Sequence, residues 1–423
     1  MLDEEEARRP ASALTRHGRE LGTIAIVSIV GIVATAGFQI VAVRSLGPED
    51  FGLLASLLAL INIVAVGSGA LRTSVAVNAA RATIAPVSTS NSTRRDAALV
   101  ESVVLGGVSS VTVVVLAPWL IGALDSTALA LALTTSALIP YFLFARAQGV
   151  LQGVGRTRAV VYWTTGSQIA QLALTTAALL LGYGAAGVLV AVLVTVVLST
   201  LGASLQVHRL KTVSARRAFD RDTTVVLLLS IAFAVVTNLD VVLVRALTDS
   251  TSAGAYAAAA VLVKITLIIP ATLSLYLLPR FVVHSADRER SLRGLLLTVA
   301  VTLLGGLLVA LMLALIARPI VDVLFGDAYE LTIRYVPLLA LCFVPWGVAQ
   351  AILIRTTAVA SRRGLGIVVA VALSQLILGG ALLPSIEAFI IGNGALGLIA
   401  AVLLLLDARR GAIAPRPVER RTE

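Results

Sequence analysis

Twelve apolar runs, each 19–27 residues long and parted by short polar breaks, leave this chain one environment in which to fold. They cover 21–43, 53–79, 99–124, 128–150, 159–181, 185–206, 223–247, 254–278, 292–317, 333–356, 364–383 and 388–406. A helix that crosses a bilayer needs about 20 apolar residues. Of 423 residues, 58% are hydrophobic and 13% charged, whereas a soluble domain carries about 25% charged residues. Such a chain could not cover its own surface in water, which excludes a cytosolic enzyme, a secreted module and a disordered protein. The first run exceeds the core of a signal peptide, about 7–15 residues, and reads as a retained span. Pro140 and Pro270 fall inside runs, where proline kinks a membrane helix.

The net charge of +10 lies between the runs. It therefore points to a membrane surface and not to nucleic acid. With the N-terminus inside and the spans alternating, 27 of the 33 basic residues fall on cytoplasmic segments. Four, Arg44, Arg245, Arg318 and Arg334, fall outside. The positive-inside rule thus predicts a multi-pass protein of the cell membrane with both termini cytoplasmic. The expected organisation is a cytoplasmic tail (1–20), a six-helix lobe (21–207), a basic cytoplasmic linker (208–222), a second six-helix lobe (223–406) and a cytoplasmic tail (407–423). Cys342 is alone, the three histidines lie far apart in sequence, and no glycine precedes either lysine. No disulfide, metal site, P-loop or cofactor is expected, and the chain does not read as an enzyme.

An internal repeat accompanies this pattern. Val41-Ala-Val43-Arg44-Ser-Leu46 is echoed by Val242-Leu-Val244-Arg245-Ala-Leu247, and Phe51-Gly52 by Ala253-Gly254. The offset is 201 residues, then 202. Six spans per half keep the halves in one orientation, related by an axis along the membrane normal. The predicted fold is an all-α integral membrane protein of about twelve helices in two six-helix lobes, with a site between them.

Charge within a span is costly, roughly 2.5–3.5 kcal/mol at the bilayer centre, so intramembrane charges mark candidates for function. Asp240 and Lys264 lie on one predicted hairpin at depths of about 10–15 Å. They suit a substrate site or an ion pair locking the hairpin. The repeat aligns Asp240 with Gln39 and Lys264 with Asn62, placing polar groups at the same depths in both halves. Arg72 and Arg146 fall about 27–28 Å from the outer boundary. Arginine forms a planar fork for phosphate, and it also snorkels to headgroups. Glu101, Gln168, Gln171, Gln350 and Gln375 read as partners between helices, and Trp119 and Trp163 as interfacial anchors.

Several of these stretches resemble polysaccharide transporters and O-antigen flippases of the multidrug/oligosaccharidyl-lipid/polysaccharide (MOP) superfamily. They are Arg44-Ser-Leu-Gly47-Pro48-Glu49-Asp50-Phe51-Gly52, Gly149-Val-Leu-Gln152-Gly153-Val-Gly155-Arg156, Asn238-Leu-Asp240, Gly254-Ala-Tyr256, Lys264, Pro279-Arg280 and Leu324-Phe325-Gly326-Asp-Ala-Tyr329. The resemblance implies alternating access through a V-shaped cavity. Its cargo would be a polyprenyl-pyrophosphate-linked oligosaccharide moved from inner to outer leaflet, with cationic cavity residues meeting the pyrophosphate. Matching positions are Lys264, Arg72 and Arg146. Membrane lipids and other polysaccharide-assembly membrane proteins are the further partners it suggests. A multidrug or cation antiporter of the same superfamily is the alternative, disfavoured by an aromatic content of 5%. A membrane glycosyltransferase or polymerase would need a larger outer loop than 318–332.

Overall fold

The computed structural model describes residues 2–84, 97–210, 221–267, 270 and 288–410. Every regular element among them is helical: α1 (Leu2–Ile84), α2 (Ala97–Ala123), α3 (Ala128–Gly153), α4 (Thr157–Leu180), α5 (Gly184–His208), α6 (Arg221–Leu247), α7 (Ser250–Val263), α8 (Arg288–Leu324), α9 (Glu330–Ala358), α10 (Arg362–Leu382) and α11 (Ile386–Arg410). Two 3₁₀ turns, Lys264–Leu267 and Asp327–Tyr329, follow α7 and precede α9. With no water at depth, a spanning chain must satisfy its N–H and C=O groups internally, and the helix does so within one segment.

Among the described residues, ten helices are long and apolar enough to cross a membrane. The first of these is two spans in one, because α1 breaks at Gly47 (φ 71, ψ 171). Only glycine adopts that conformation readily, and Pro48 after it cannot donate back into the preceding turn. The helix α4 is not among the ten. Its Gln168, Gln171 and run of threonines dilute an otherwise apolar segment.

Apolar residues on all sides of a helix mean burial or lipid. In α2 only 11% of the apolar window is buried, and Val103, Val111 and Val115 face outward. In α7 and α9 the figure is 61%. These two therefore form the interior, with Tyr256, Phe343 and Trp346 almost fully buried. Glycines bring the helices together. A Cβ on Gly149 would lie 2.6 Å from the Arg72 carbonyl oxygen, and one on Gly153 2.5 Å from that of Ala76, so α3 touches the second arm of α1 backbone to backbone. Gly394 and Gly397 admit Cys342 and Trp346 between α9 and α11 in the same way.

One apolar core joins both halves of the chain, with Phe38, Val43, Phe51 and Leu54 packed among Val241–Val244 and Ala253–Val263. The repeat closes on itself there. Gly52 and Gly254, equivalent by the 202-residue offset, meet each other: a Cβ on Gly52 would lie 2.9 Å from the Gly254 nitrogen. One on Gly254 would lie only 1.8 Å from the Pro48 carbonyl oxygen.

The apolar run 254–278 divides differently. The helix α7 starts at Ser250 and ends at Val263, and Lys264 begins a tighter turn. Most of 268–278, the linker residues 211–220, the tail 411–423, Arg94, Arg95 and Pro279-Arg280 lie outside the described residues.

Candidate functional site

Asp240 and Lys264 meet. A helical side chain leans toward its own N-terminus. On antiparallel α6 and α7 that tilts the two toward each other, so the Lys264 ammonium reaches Asp240 from a Cα about 21 Å along α7. The Nζ–Oδ1 distance is 3.3 Å. Tyr256, eight residues before Lys264 and hence on the same helix face, donates its hydroxyl to Asp240 Oδ2 at 2.9 Å. Asp240 is completely buried, while the Lys264 side chain keeps 23% exposure and lies 5.9 Å from the centre of the Phe343 ring. Lysine has three donors, and among the described residues Asp240 is its one hydrogen-bond partner. Each carboxylate oxygen therefore has a donor, and the partly exposed ammonium has this one acceptor among the described residues.

At the end of the bundle carrying Gly47 the two halves clasp each other. Arg44 Nη1 donates to the carbonyl of Val323 at 3.0 Å, and Arg245 Nε to that of Leu124 at 3.1 Å. Arg44 and Arg245 are repeat equivalents, and their acceptors lie at the C-terminal ends of α8 and α2. Each half therefore sends one arginine to a helix end of the other. Such carbonyls lack intrahelical partners and carry the negative end of the helix dipole. Tyr329 adds a hydroxyl bond to the Val43 carbonyl at 2.8 Å, Arg245 a longer one to the Glu49 carbonyl, and Thr251 one to the Glu49 carboxylate. Glu49 is thus part of this seam.

The other candidates fall elsewhere. Gln39 is half-buried and Asn62 exposed, and among the described residues neither hydrogen-bonds to Asp240 or Lys264. Arg72 and Arg146 are half-buried near the end of the bundle remote from the clasp, about 27 Å or more along their helices. The buried Nε of Arg72 has no hydrogen-bond partner among the described residues. Gln375 does link helices, donating to Asn393 and to the Val236 carbonyl at 3.0 and 3.1 Å. Trp163 is more than an interfacial anchor, since its indole donates to Gln206 across α4 and α5 at 2.7 Å. The aromatic partners Tyr256 and Phe343 were not anticipated as site residues. Within an apolar run an aromatic side chain looks like any core residue, and only the motif around Gly254 hinted at Tyr256.

The family described as "Polysaccharide biosynthesis protein" matches residues 40–334, and the chain belongs to it. Among solved structures it is similar to an inward-facing multidrug resistance MATE family transporter of the MOP superfamily, with 13% identity and a TM-score of 0.69 over 90% of this chain and 94% of the other. It is also similar to the lipid II flippase MurJ in an inward closed conformation, with 15% identity and a TM-score of 0.64 over 91% and 87%. A third is an MOP superfamily transporter from Pyrococcus furiosus, with 16% identity and a TM-score of 0.58 over 92% and 94%. These likenesses establish the fold. No curated protein sequence matches.

Proposed function

We propose that this multi-pass membrane transporter moves a polyprenyl-pyrophosphate-linked oligosaccharide from the inner to the outer leaflet by alternating access. The observation that carries the reading is Lys264, a partly exposed ammonium held in the span by the fully buried Asp240 carboxylate. A glycan cannot cross hydrocarbon unaided, because its hydroxyls would lose water without replacement. Rocking of two halves about a seam supplies a polar path in stages. The basic asymmetry of the loops puts the clasped end outside, so the clasp is an outer gate in its closed state. Arg72 and Arg146 then face the leaflet where the pyrophosphate enters. An acidic Asp240 would suit a cation exporter, but here Lys264 is paired with it. An inside-negative potential favours outward movement of an anion by about 2.3 kcal/mol per charge per 100 mV.

Deleting the gene tests this reading. Lipid-linked oligosaccharide is expected to accumulate on the cytoplasmic face with loss of surface glycan, and a Lys264→Gln copy should not restore it. Normal outer-leaflet lipid-linked sugar together with new sensitivity to cationic drugs would replace this reading with the exporter one.

A further inference from the structure

The chain reverses between α3 and α4 at Gly155, whose φ of 80 favours glycine. Arg156 takes the N-cap position of α4 but its side chain does not cap the helix, so the positive helix start looks outward for acceptors. Arg158 lies in the first turn of α4, and Arg209 stands at the C-terminal end of α5. These three arginines line a cavity of about 1130 Å³ between α4, α5 and the first arm of α1. Its inner wall is Trp163, fixed by Gln206. The indole occupies the space that a side chain at Gly202 would fill, since a Cβ there would sit 2.1 Å from the ring.

Beyond Trp163 a second cavity, about 420 Å³, continues between the same two helices. It shares Tyr162 and Trp163 with the first, and its floor is small: Gly166, Ser167, Ala170 and Ser199. Among the described residues no aspartate or glutamate lines either cavity. The pair forms a cationic mouth with a narrow slot behind it.

We propose that this mouth and slot are a lipid-docking site, and that the occupant is the polyprenyl-phosphate end of the carried lipid. The proposal deepens the transport reading and rests on it. Three arginines and an uncapped helix start complement phosphate. The mouth is far larger than one phosphate and admits a diphosphate with its first sugar. The slot follows a single seam between two helices and takes one chain, whereas a two-chain phospholipid would leave one chain outside. The positive-inside assignment puts Arg156 and Arg209 at the level of the inner headgroups. Cargo would thus be held at the side of the N-terminal half before it enters between the halves.

Native mass spectrometry of the purified full chain tests this with a long-chain polyprenyl phosphate, phosphatidylglycerol and inorganic phosphate as separate probes. Gly166→Leu fills the slot, and a Cβ there meets nothing within 4 Å, so packing is undisturbed. The triple change Arg156→Gln, Arg158→Gln, Arg209→Gln empties the mouth of charge. Each is expected to weaken polyprenyl phosphate binding tenfold or more, while Arg318→Gln, at the other end, leaves it unchanged. Equal binding in the variants overturns the site. So does phosphatidylglycerol or inorganic phosphate binding as tightly with the same response. Complementation in cells separates the two claims. If both variants restore surface glycan as well as the native chain, this site falls and the transport reading stands. If the deletion strain keeps its surface glycan, the transport reading falls whatever the binding result.

Discussion

Asp240 has lost all contact with solvent, and an ammonium and a phenol face its two oxygens. Removing one member of a buried pair leaves an uncompensated charge, at about 3–5 kcal/mol. Asp240→Asn and Lys264→Gln should each lower the folded fraction of detergent-purified protein on size-exclusion chromatography. The double change should recover the fold without transport. A second carboxylate works at the surface. Asp249 caps α7 by accepting from the Ser252 N–H at 2.8 Å, and that bond, ahead of a smaller opposing effect of burial, holds its pKa below the usual carboxylate value. The stabilisation is present above the unfolded pKa and fades as pH falls through the lowered one. Asp249→Ala should cost about 0.5–2 kcal/mol near neutral pH, and Asp249→Asn should keep most of the cap while abolishing its acid dependence, both read from thermal melts against pH. The two intramembrane charges were legible in the sequence because charge stands out against hydrocarbon. Their aromatic partners were not, because apolar runs give Tyr256 and Phe343 no distinguishing pattern. Gln39 and Asn62 aligned by repeat arithmetic, and among the described residues neither hydrogen-bonds to the charge cluster.

Whole helices were easier to read than their ends. Apolarity marks every span down to the diluted α4, but it is blind to what α1 does at Gly47 and α7 at Lys264. A continuous apolar run does not reveal where a helix tightens and hands a side chain to the interior. The seam between the halves shows the same division. The motif V-x-V-R-x-L was visible as a repeat, while its chemistry depended on carbonyls at distant helix ends. A hydrogen bond to a charged donor contributes about 1.5–3 kcal/mol, less where solvent competes. Arg245 is 7% exposed and Arg44 is exposed. Arg245→Gln should therefore loosen the clasp more than Arg44→Gln. Spin labels at Asp125 and Asp327, both exposed near the seam, should report a longer and broader distance distribution, broadest in the double variant. Gly254→Leu should hold the seam apart regardless of the arginines, because the Pro48 carbonyl occupies the space.

For the molecule as a whole, the loop charges and the clasp make one topological claim. In a Cys342→Ser background, single cysteines at Thr127 and Asp249 should react with an impermeant thiol reagent in intact cells, whereas those at Thr157 and Arg362 should react only after permeabilisation. All four positions are exposed, so access and not burial decides the result. Labelling of position 362 from outside would invert the orientation and with it the direction of transport. The clasp also bears on how this fold drifts over evolutionary time. Its arginines hold backbone carbonyls, and a carbonyl is present whatever amino acid occupies positions 124 and 323. Those two positions are free to change without breaking the gate, and no compensating change is demanded of them when they do. Correlated substitution between homologues would therefore pass over the contact that joins the halves, leaving only two solitary arginines, one per repeat, as its trace.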